Sequence, residues 1–431
     1  MVGALAFPMQ ARAADTAMRL SLSEAILMAR NNNSSIKAAR SRIDQAEGRV
    51  VQSRQSSLPK VTLSETLLVT NDPGAALVFK LQQNNLQNSD FDAWKMTHPA
   101  VINDFNTSLQ VMQPIYNADA AAGKSMAVTA KKGMELMSAR AEETIALQVS
   151  KVYYGLLLAR KNSEALDQSI VIMQGYSAEA GRSYRAGMLP KSDKLATDVR
   201  LAELQEQKML LQDAIHDATD MLKVMLNLSA DATIVPTGEL VADALPAGGD
   251  GQIAPTSRAD IKALDTFRQV ASYQEEMIEA SKRPRLNAFL QSNLHSATVF
   301  SGGLSFALGL NMQWSLFDGD ATAGRLQEAK AQEREAMYNY QAAKSNSVAE
   351  VNKSFRSLTT AKSRIAVASK SLEEATVSFD YIGKKYKTGM AMTFELLMRE
   401  QAFTYAKMRL NQATYDYCVS KRELDYYKGG A

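Results

Sequence analysis

The sequence predicts a mostly helical chain with a small β part, built from two tandem copies of one unit. Three observations carry this reading. The first is duplication. Leu109 to Lys124 (LQVMQPIYNADAAAGK) lies over Leu310 to Arg325 (LNMQWSLFDGDATAGR) at an offset of 201 without a gap. Farther on, Tyr184-Arg185-Ala186-Gly187-Met188 lies over Tyr386-Lys387-Thr388-Gly389-Met390 at an offset of 202, and Asp193 then meets Glu395. Upstream, Leu58-Pro59-Lys60-Val61 resembles Arg283-Pro284-Arg285-Leu286. Four landmarks in one order define two copies. The second observation is a heptad-like seam in each copy, and the third is a set of alternating strands.

The seams come from the spacing of apolar residues. Ile145, Val149, Val152, Leu156, Ala159, Leu166, Ile170 and Met173 follow a 3.5-residue spacing, with Ser163 as the polar member. Leu358, Ala361, Ile365, Ala368, Leu372, Ala375, Phe379 and Ile382 repeat it in copy two. This is the pattern of a left-handed coiled coil. The two long helical segments, about 120–185 and 320–385, would each reach roughly 100 Å at ~1.5 Å per residue. Only 10 prolines occur in the chain and none follows Pro284, so nothing breaks the later rod. Gly187 and Gly389 stand where a helix C-terminus favours glycine, and Pro190 where the next helix starts. Each copy is therefore read as a long hairpin with its tip at one of those glycines. Shorter helices at about 20–57 and 190–228 would stack end to end beside the rod, the first starting near Ser23 and Glu24.

The strands show a period of two. Val61, Leu63, Glu65, Leu67 and Val69 alternate with Thr62, Ser64, Thr66 and Thr70, with Leu68 out of pattern. Phe306, Leu308, Leu310, Met312, Trp314 and Leu316 alternate with Ala307, Gly309, Asn311, Gln313 and Ser315, after a turn at Ser301-Gly302-Gly303. Four strands are expected, at 59–71, 104–116, 285–298 and 304–317. Strands of this length with one apolar and one polar face fit a transmembrane barrel, and Trp314 with Phe317 fits an interfacial girdle. Four strands cannot close such a barrel alone, because an open edge in lipid leaves its backbone groups unsatisfied. The chain must then oligomerise, and the arithmetic leaves two, three or four copies open.

Composition narrows the function classes. Of 431 residues, 49 are Lys or Arg and 46 Asp or Glu, a net charge of +3 with no basic tract, which speaks against a nucleic-acid binder. A hydrophobic fraction of 46% supports a real core. The single Cys418 excludes an internal disulfide and a cysteine-rich metal site. No run of 18 apolar residues occurs, so no membrane-spanning helix is expected. Residues 1–13 end in Ala11-Arg12-Ala13 and read as the tail of a secretory signal, although a basic start is missing. The domain plan is then 1–13 signal remnant, 14–228 repeat one, 229–257 linker and 258–431 repeat two.

These residues resemble the TolC-like outer membrane efflux protein family over nearly the whole mature chain, from Leu20-Ser21-Leu22-Ser23-Glu24-Ala25 to Tyr427. LSLSEAILMARNNN (20–33) is similar to the family's first helix. Gln113-Pro114-Ile115-Tyr116 is similar to its strand-to-helix crossover, with Trp314 to Asp320 as the second copy. Asp72 to Phe105 is similar to the outer loop of one branch. The resemblance implies a homotrimer, with a trimeric α-barrel crossing the periplasm and capped by a 12-stranded β-barrel in outer membrane lipid. It implies a passive conduit of a tripartite efflux or type I secretion system in a Gram-negative bacterium. Its partners would be a periplasmic adaptor protein and an inner-membrane pump of the RND or ABC type. Segment 229–257 would join an equatorial belt. The tips, Gly187, Met188, Leu189, Gly389, Met390 and Ala391, would contact the adaptor. Tyr386 matches a gate tyrosine, Asp193 an entrance carboxylate, and Glu395 a position where the family often carries Asp. Ala391 stands where some members have a gate arginine, and Met398 where some have a second acid, so a gate locked by an Arg–carboxylate pair is not expected, and any closed state would rest more on packing and on hydrogen bonds from Tyr386. Opening is expected to be iris-like, by an outward swing of the second hairpin.

Several rival signals lose on their own terms. Gly123-Lys124-Ser125 ends like a P-loop, but Ala118 stands where that motif needs glycine. His98, His216 and His295 lack ligand spacing and read as surface or loop residues. Asp318-Gly319-Asp320 fails the calcium-loop pattern and reads as a turn. The 21 methionines are spread along the helices and read as seam packing. No catalytic constellation, metal set or cofactor motif is found, so no enzyme and no cofactor are expected. The other reading is a soluble periplasmic coiled-coil scaffold or adaptor. The doubled hairpin and the alternating strands distinguish the two.

Overall fold

A computed structural model describes residues 18–242, 257–300 and 302–430. The expected signal remnant, 1–13, and much of the expected linker lie outside the described residues. In chain order the elements are β1 (Met18–Leu20), α1 (Leu22–Asn32), α2 (Ser34–Ser53), β2 (Lys60–Thr70), α3 (Pro73–Gln82), α4 (Ala93–Thr97), β3 (Ile102–Tyr116), α5 (Ala118–Arg185), α6 (Lys191–Leu226), β4 (Ile234–Pro236), α7 (Ala259–Ala280), β5 (Arg285–Ser296), β6 (Gly303–Gln313), α8 (Ala321–Lys387) and α9 (Thr393–Lys428). The contacts divide the chain into two units that cut across the two sequence repeats. Among the described residues, unit one holds those within 18–41, 136–262 and 341–430, and unit two those within 42–135 and 263–340.

Unit one is helical apart from the small β1–β4 ribbon. Helix α5 spans 68 residues and α8 spans 67. Along the first seam, Val149, Leu156, Ala159, Leu166, Ile170 and Met173 are buried; along the second, Leu358, Ala361, Ala368 and Phe379 are. The small residues let α9 lie close and antiparallel to α5, with polar rungs between them. Asn411 Nδ2 donates to Asn162 Oδ1 at 2.9 Å, Lys407 pairs with Gln168, and Lys151 meets Glu423 at 2.6 Å.

Local chemistry sets the ends of the shorter helices. Ser21 and Glu24 form a capping box on α1: Ser21 N–H donates to Glu24 Oε2 at 2.8 Å and Glu24 N–H to Ser21 Oγ at 3.3 Å. Asn33 breaks α1 from α2. Its Oδ1 accepts from Ser35 N–H at 2.9 Å, and its Nδ2 donates to the Met225 carbonyl at 2.8 Å near the end of α6. Within the expected linker, β4 pairs in parallel with β1. The buried Tyr153 hydroxyl donates to the Leu20 carbonyl (2.9 Å) and accepts from Gly238 N–H (2.9 Å), which ties this small ribbon to α5.

A second anchor closes the base of α9. Arg258 donates to both Asp260 oxygens (3.0 and 2.7 Å) and to Glu350 Oε2 (2.5 Å). Asp260 loses solvation there, but the Arg258 hydrogen bonds and the nearby Arg140 charge outweigh that and lower its pKa. Arg140 also stacks on the Tyr426 ring, 3.5 Å from its centroid.

Unit two holds a four-stranded antiparallel sheet in the order β2-β3-β5-β6, with β2 and β6 as edges. The register puts Leu63 opposite Leu109, Val111 opposite Leu290, and Leu290 opposite Leu308. One face is therefore largely apolar, interrupted by Ser292 and by the hydrogen-bonded Glu65–Thr107 pair, and no described residue covers it along β6, where Leu304, Phe306, Leu308, Leu310 and Met312 are each 67% or more exposed. The other face carries Thr62, Ser64, Ser108, Gln110, Gln291, Asn293 and Asn311. No helix among the described residues is long and apolar enough to cross a membrane.

Two differences from the sequence reading have physical causes. The fourth strand ends at Gln313 rather than at 317. Trp314 leaves the sheet to donate from Nε1 to the Lys282 carbonyl at 2.9 Å, and Gly319 and Asp320 (φ +64° each) turn the chain into α8. His295 is not a surface residue. It is buried on the polar face, with Nδ1 2.8 Å from Asp104 Oδ2, and Gln83 Nε2 donates to Asp104 Oδ1 at 2.9 Å. Two buried polar groups satisfy each other there, and Gln83 pins the end of α3 to the sheet. Gly123-Lys124-Ser125 lies within α5, where no phosphate-cradling loop exists.

Candidate functional site

The candidate site is the pair of hairpin tips and the helix segments behind them, all in unit one. Both tips have the same geometry. Gly187 has φ +73° and Gly389 φ +75°. Gly187 N–H donates to the Tyr184 carbonyl (3.0 Å) and Met188 N–H to the Ser183 carbonyl (2.9 Å); Gly389 to Tyr386 (3.0 Å) and Met390 to Lys385 (2.9 Å) repeat this. These are paired Schellman caps, which need a left-handed residue and hence glycine. Met188 and Met390 follow each glycine and stand 76% and 70% exposed. Leu189 and Ala391 are half-buried beside them.

The three gate and entrance residues read from the sequence do not form one cluster. Tyr386 is half-buried and accepts a long hydrogen bond from Thr393 Oγ1 at 3.4 Å. Glu395 sits in the first turn of α9, where its Oε2 accepts from its own Met392 N–H at 3.4 Å. Asp193 sits in the first turn of α6 and accepts from Ser192 Oγ at 3.2 Å. Among the described residues no hydrogen bond joins Tyr386 to either carboxylate.

Packing links the helices instead. The Tyr176 ring of α5 meets Tyr386 edge-on at 5.8 Å and Phe379 at 6.2 Å, and Phe379 stacks on Phe403 of α9 at 5.5 Å. Buried Gly383 makes room for Tyr176, because a Cβ there would collide with its hydroxyl. Burial, then the nearby Asp380 carboxylate, push the Tyr176 phenol above its ordinary range, so it stays neutral.

A buried ionic network escaped the sequence reading. Arg200 of α6 donates from Nε to Glu400 Oε2 of α9 at 2.7 Å. Thr404 Oγ1 donates to Glu400 Oε1 at 2.6 Å, and Thr404 shares a 2.6 Å hydrogen bond with Ser169 of α5. Arg200, Glu400, Thr404 and Ser169 are all buried, Glu400 to 1% exposure. So an Arg–carboxylate pair does join the two hairpins, behind the tip rather than at it. Breaking it by removing one partner costs about 3–5 kcal/mol, against roughly 0.5–1.5 for one aromatic pair. The available signal was the repeat itself, since Glu400 overlies Asp198 at the 202 offset. Asp198 takes hydrogen bonds from Lys194 and from Ser177 Oγ (2.8 Å), which lower its pKa in that order.

The sequence matches the family described as "Outer membrane efflux protein" over residues 25–228 and 252–430. The chain belongs to that family. It is therefore an outer membrane channel protein of Gram-negative type, in a family of transport proteins rather than enzymes. It is 22% identical over 343 residues to the alkaline protease secretion protein AprF of Pseudomonas aeruginosa, covering 75% of this chain and 69% of AprF. In fold it is similar to the outer membrane protein VceC of Vibrio cholerae (TM-score 0.78, 16% identity, 95% of this chain and 96% of VceC). It is also similar to the CmeC outer membrane channel of Campylobacter jejuni (TM-score 0.82, 17% identity, 95% and 85%). The mostly helical fold with one four-stranded sheet and one small two-stranded ribbon matches that of these channels.

Proposed function

We propose that this efflux-family protein works as a homotrimeric, passive conduit through periplasm and outer membrane, with a gate at the hairpin tips. The observation that carries the reading is the sheet. It has two unpaired edge strands and an uncovered apolar face. In lipid that wall needs edges from sibling chains, and three copies would supply twelve strands. Exposed apolar side chains in the helical unit add to it: Val199, Met209, Leu210 and Met221 on α6, and Val348, Val367 and Val377 on α8, would be covered by neighbouring copies.

In this scheme the energy for export comes from an inner-membrane pump, and a periplasmic adaptor joins the pump to the tips at Gly187–Leu189 and Gly389–Ala391. AprF is by name a protease secretion protein, which supports secretion of a polypeptide beside efflux of small molecules as the cargo class. The gate is iris-like: tip segments packed through Tyr176, Tyr386 and Gly383 separate to open. A short cross-linker joining Tyr176→Cys to Gly383→Cys, in a Cys418→Ser background, is expected to abolish export. Undiminished export with the cross-link verified would refute the gate.

A further inference from the structure

We propose that the pocket where β6 runs out towards α8 holds the head of a zwitterionic, amine-bearing phospholipid. The proposal rests on the sheet being a membrane wall, and adds to it a site and a lipid class. The pocket lies wholly in unit two and has a volume of about 370 Å³, with Lys282, Trp314, Leu316, Phe317, Asp318 and Asp320 in its walls. That volume falls within the range of small-ligand sites, roughly 300–1,000 Å³.

The walls differ in chemistry. The exposed apolar row of β6 leads to Trp314, Leu316 and Phe317, which are 55%, 79% and 83% exposed. The Trp314 Nε1–H is already spent on the Lys282 carbonyl, so its ring is free to meet hydrocarbon. Lys282 follows the end of α7 and brings an exposed cation. Asp318 and Asp320 bring anions. Asp318 Oδ2 accepts from the Thr322 N–H at 2.9 Å, which fixes that carboxylate in the wall. Among the described residues, Lys282 and Asp320 form no salt bridge, with each other or with any group, although both line the pocket. Opposite charges therefore share one cavity without pairing. A dipolar head satisfies both, with its phosphate on Lys282 and its ammonium on the aspartates. A head with a phosphate and no amine meets carboxylates that it cannot pair with, and a simple cation is opposed by Lys282. The acyl chains then lie on Leu316, Phe317 and the β6 face, where a soluble head group gains nothing.

The test adds equal amounts of dioleoyl phosphatidylethanolamine and dioleoyl phosphatidylglycerol to the full-length protein in mild detergent and counts bound lipid by native mass spectrometry. The native chain is expected to keep the ethanolamine lipid over the glycerol lipid by roughly threefold or more, the scale of exposed ion pairs. Asparagine tolerates the left-handed backbone at 320 (φ +64°), so Asp320→Asn should erase that preference without disturbing the turn. Lys282→Gln should lower both adducts. Equal retention of the two lipids by the native chain, a preference that survives Asp320→Asn, or adducts untouched by Lys282→Gln overturns the head-group site while the membrane wall stands. Full displacement of bound lipid by soluble phosphoethanolamine also overturns it, because the apolar walls then contribute nothing. Native protein that leaves membranes without detergent removes the membrane wall itself, and the site with it.

Discussion

Buried charge behind the tips was the part of this molecule least legible at the level of single residues. Tyr386, Asp193 and Glu395 stand out in the sequence because they repeat or flank the tip landmarks. Arg200 and Glu400 do not, because a charged residue on a helical pattern is read as solvated by default. Only the crossing of α5, α6 and α9 buries them together. Glu400→Ala is expected to lower the thermal unfolding midpoint, since buried Arg200 is left with only the half-exposed Glu203 carboxylate, 3.1 Å from its Nη1. Arg200→Met with Glu400→Leu should recover most of that loss, because the pair is then replaced by apolar volume. Equal midpoints for wild type and Glu400→Ala would show that the pair carries no stability. Glu395 stands on weaker ground, since its one hydrogen bond caps its own helix. A ring of Glu395 around a threefold axis would favour cations. Glu395→Gln should then lower cation preference in planar-bilayer conductance, and unchanged selectivity would reduce Glu395 to a helix cap.

The helices and strands were largely readable as elements, and the misses came at their ends. The 3.5-residue seam places the long helices because burial on one stripe is what the pattern encodes. The strand faces follow because a period of two fixes which side is apolar. The end of β6 was not readable, because Trp314 and Leu316 continue the alternation while a hydrogen bond from Trp314 to Lys282 takes the chain out of the sheet. His295 was misplaced for a similar reason: its partner Asp104 is 191 residues away in sequence. The start of α7 offers a test by pH. The folded pKa of Asp260 is depressed, so its contribution exists above the unfolded carboxylate value, about 3.9. It is lost as pH falls through the lower folded value. Protection factors for amide exchange in the first turn of α7, corrected for the intrinsic pH dependence of exchange, should therefore fall below about pH 4, and Arg258→Met should weaken that acid dependence, leaving the part that Arg140 supplies. Acid-independent protection in the native protein would contradict the anchor.

On the proposed reading the molecule is incomplete as one chain, because a sheet with open edges in lipid and long helices with exposed apolar side chains would both be covered by siblings. Duplication, hairpins and strands were visible in the sequence; the number of copies was not, because two, three and four chains all give an even number of strands. The most direct measurement is the native mass of the full-length protein extracted from membranes in mild detergent. The account predicts a single species of three chains that dissociates only on denaturation. A stable monomer, released without detergent and indifferent to lipid, would contradict it.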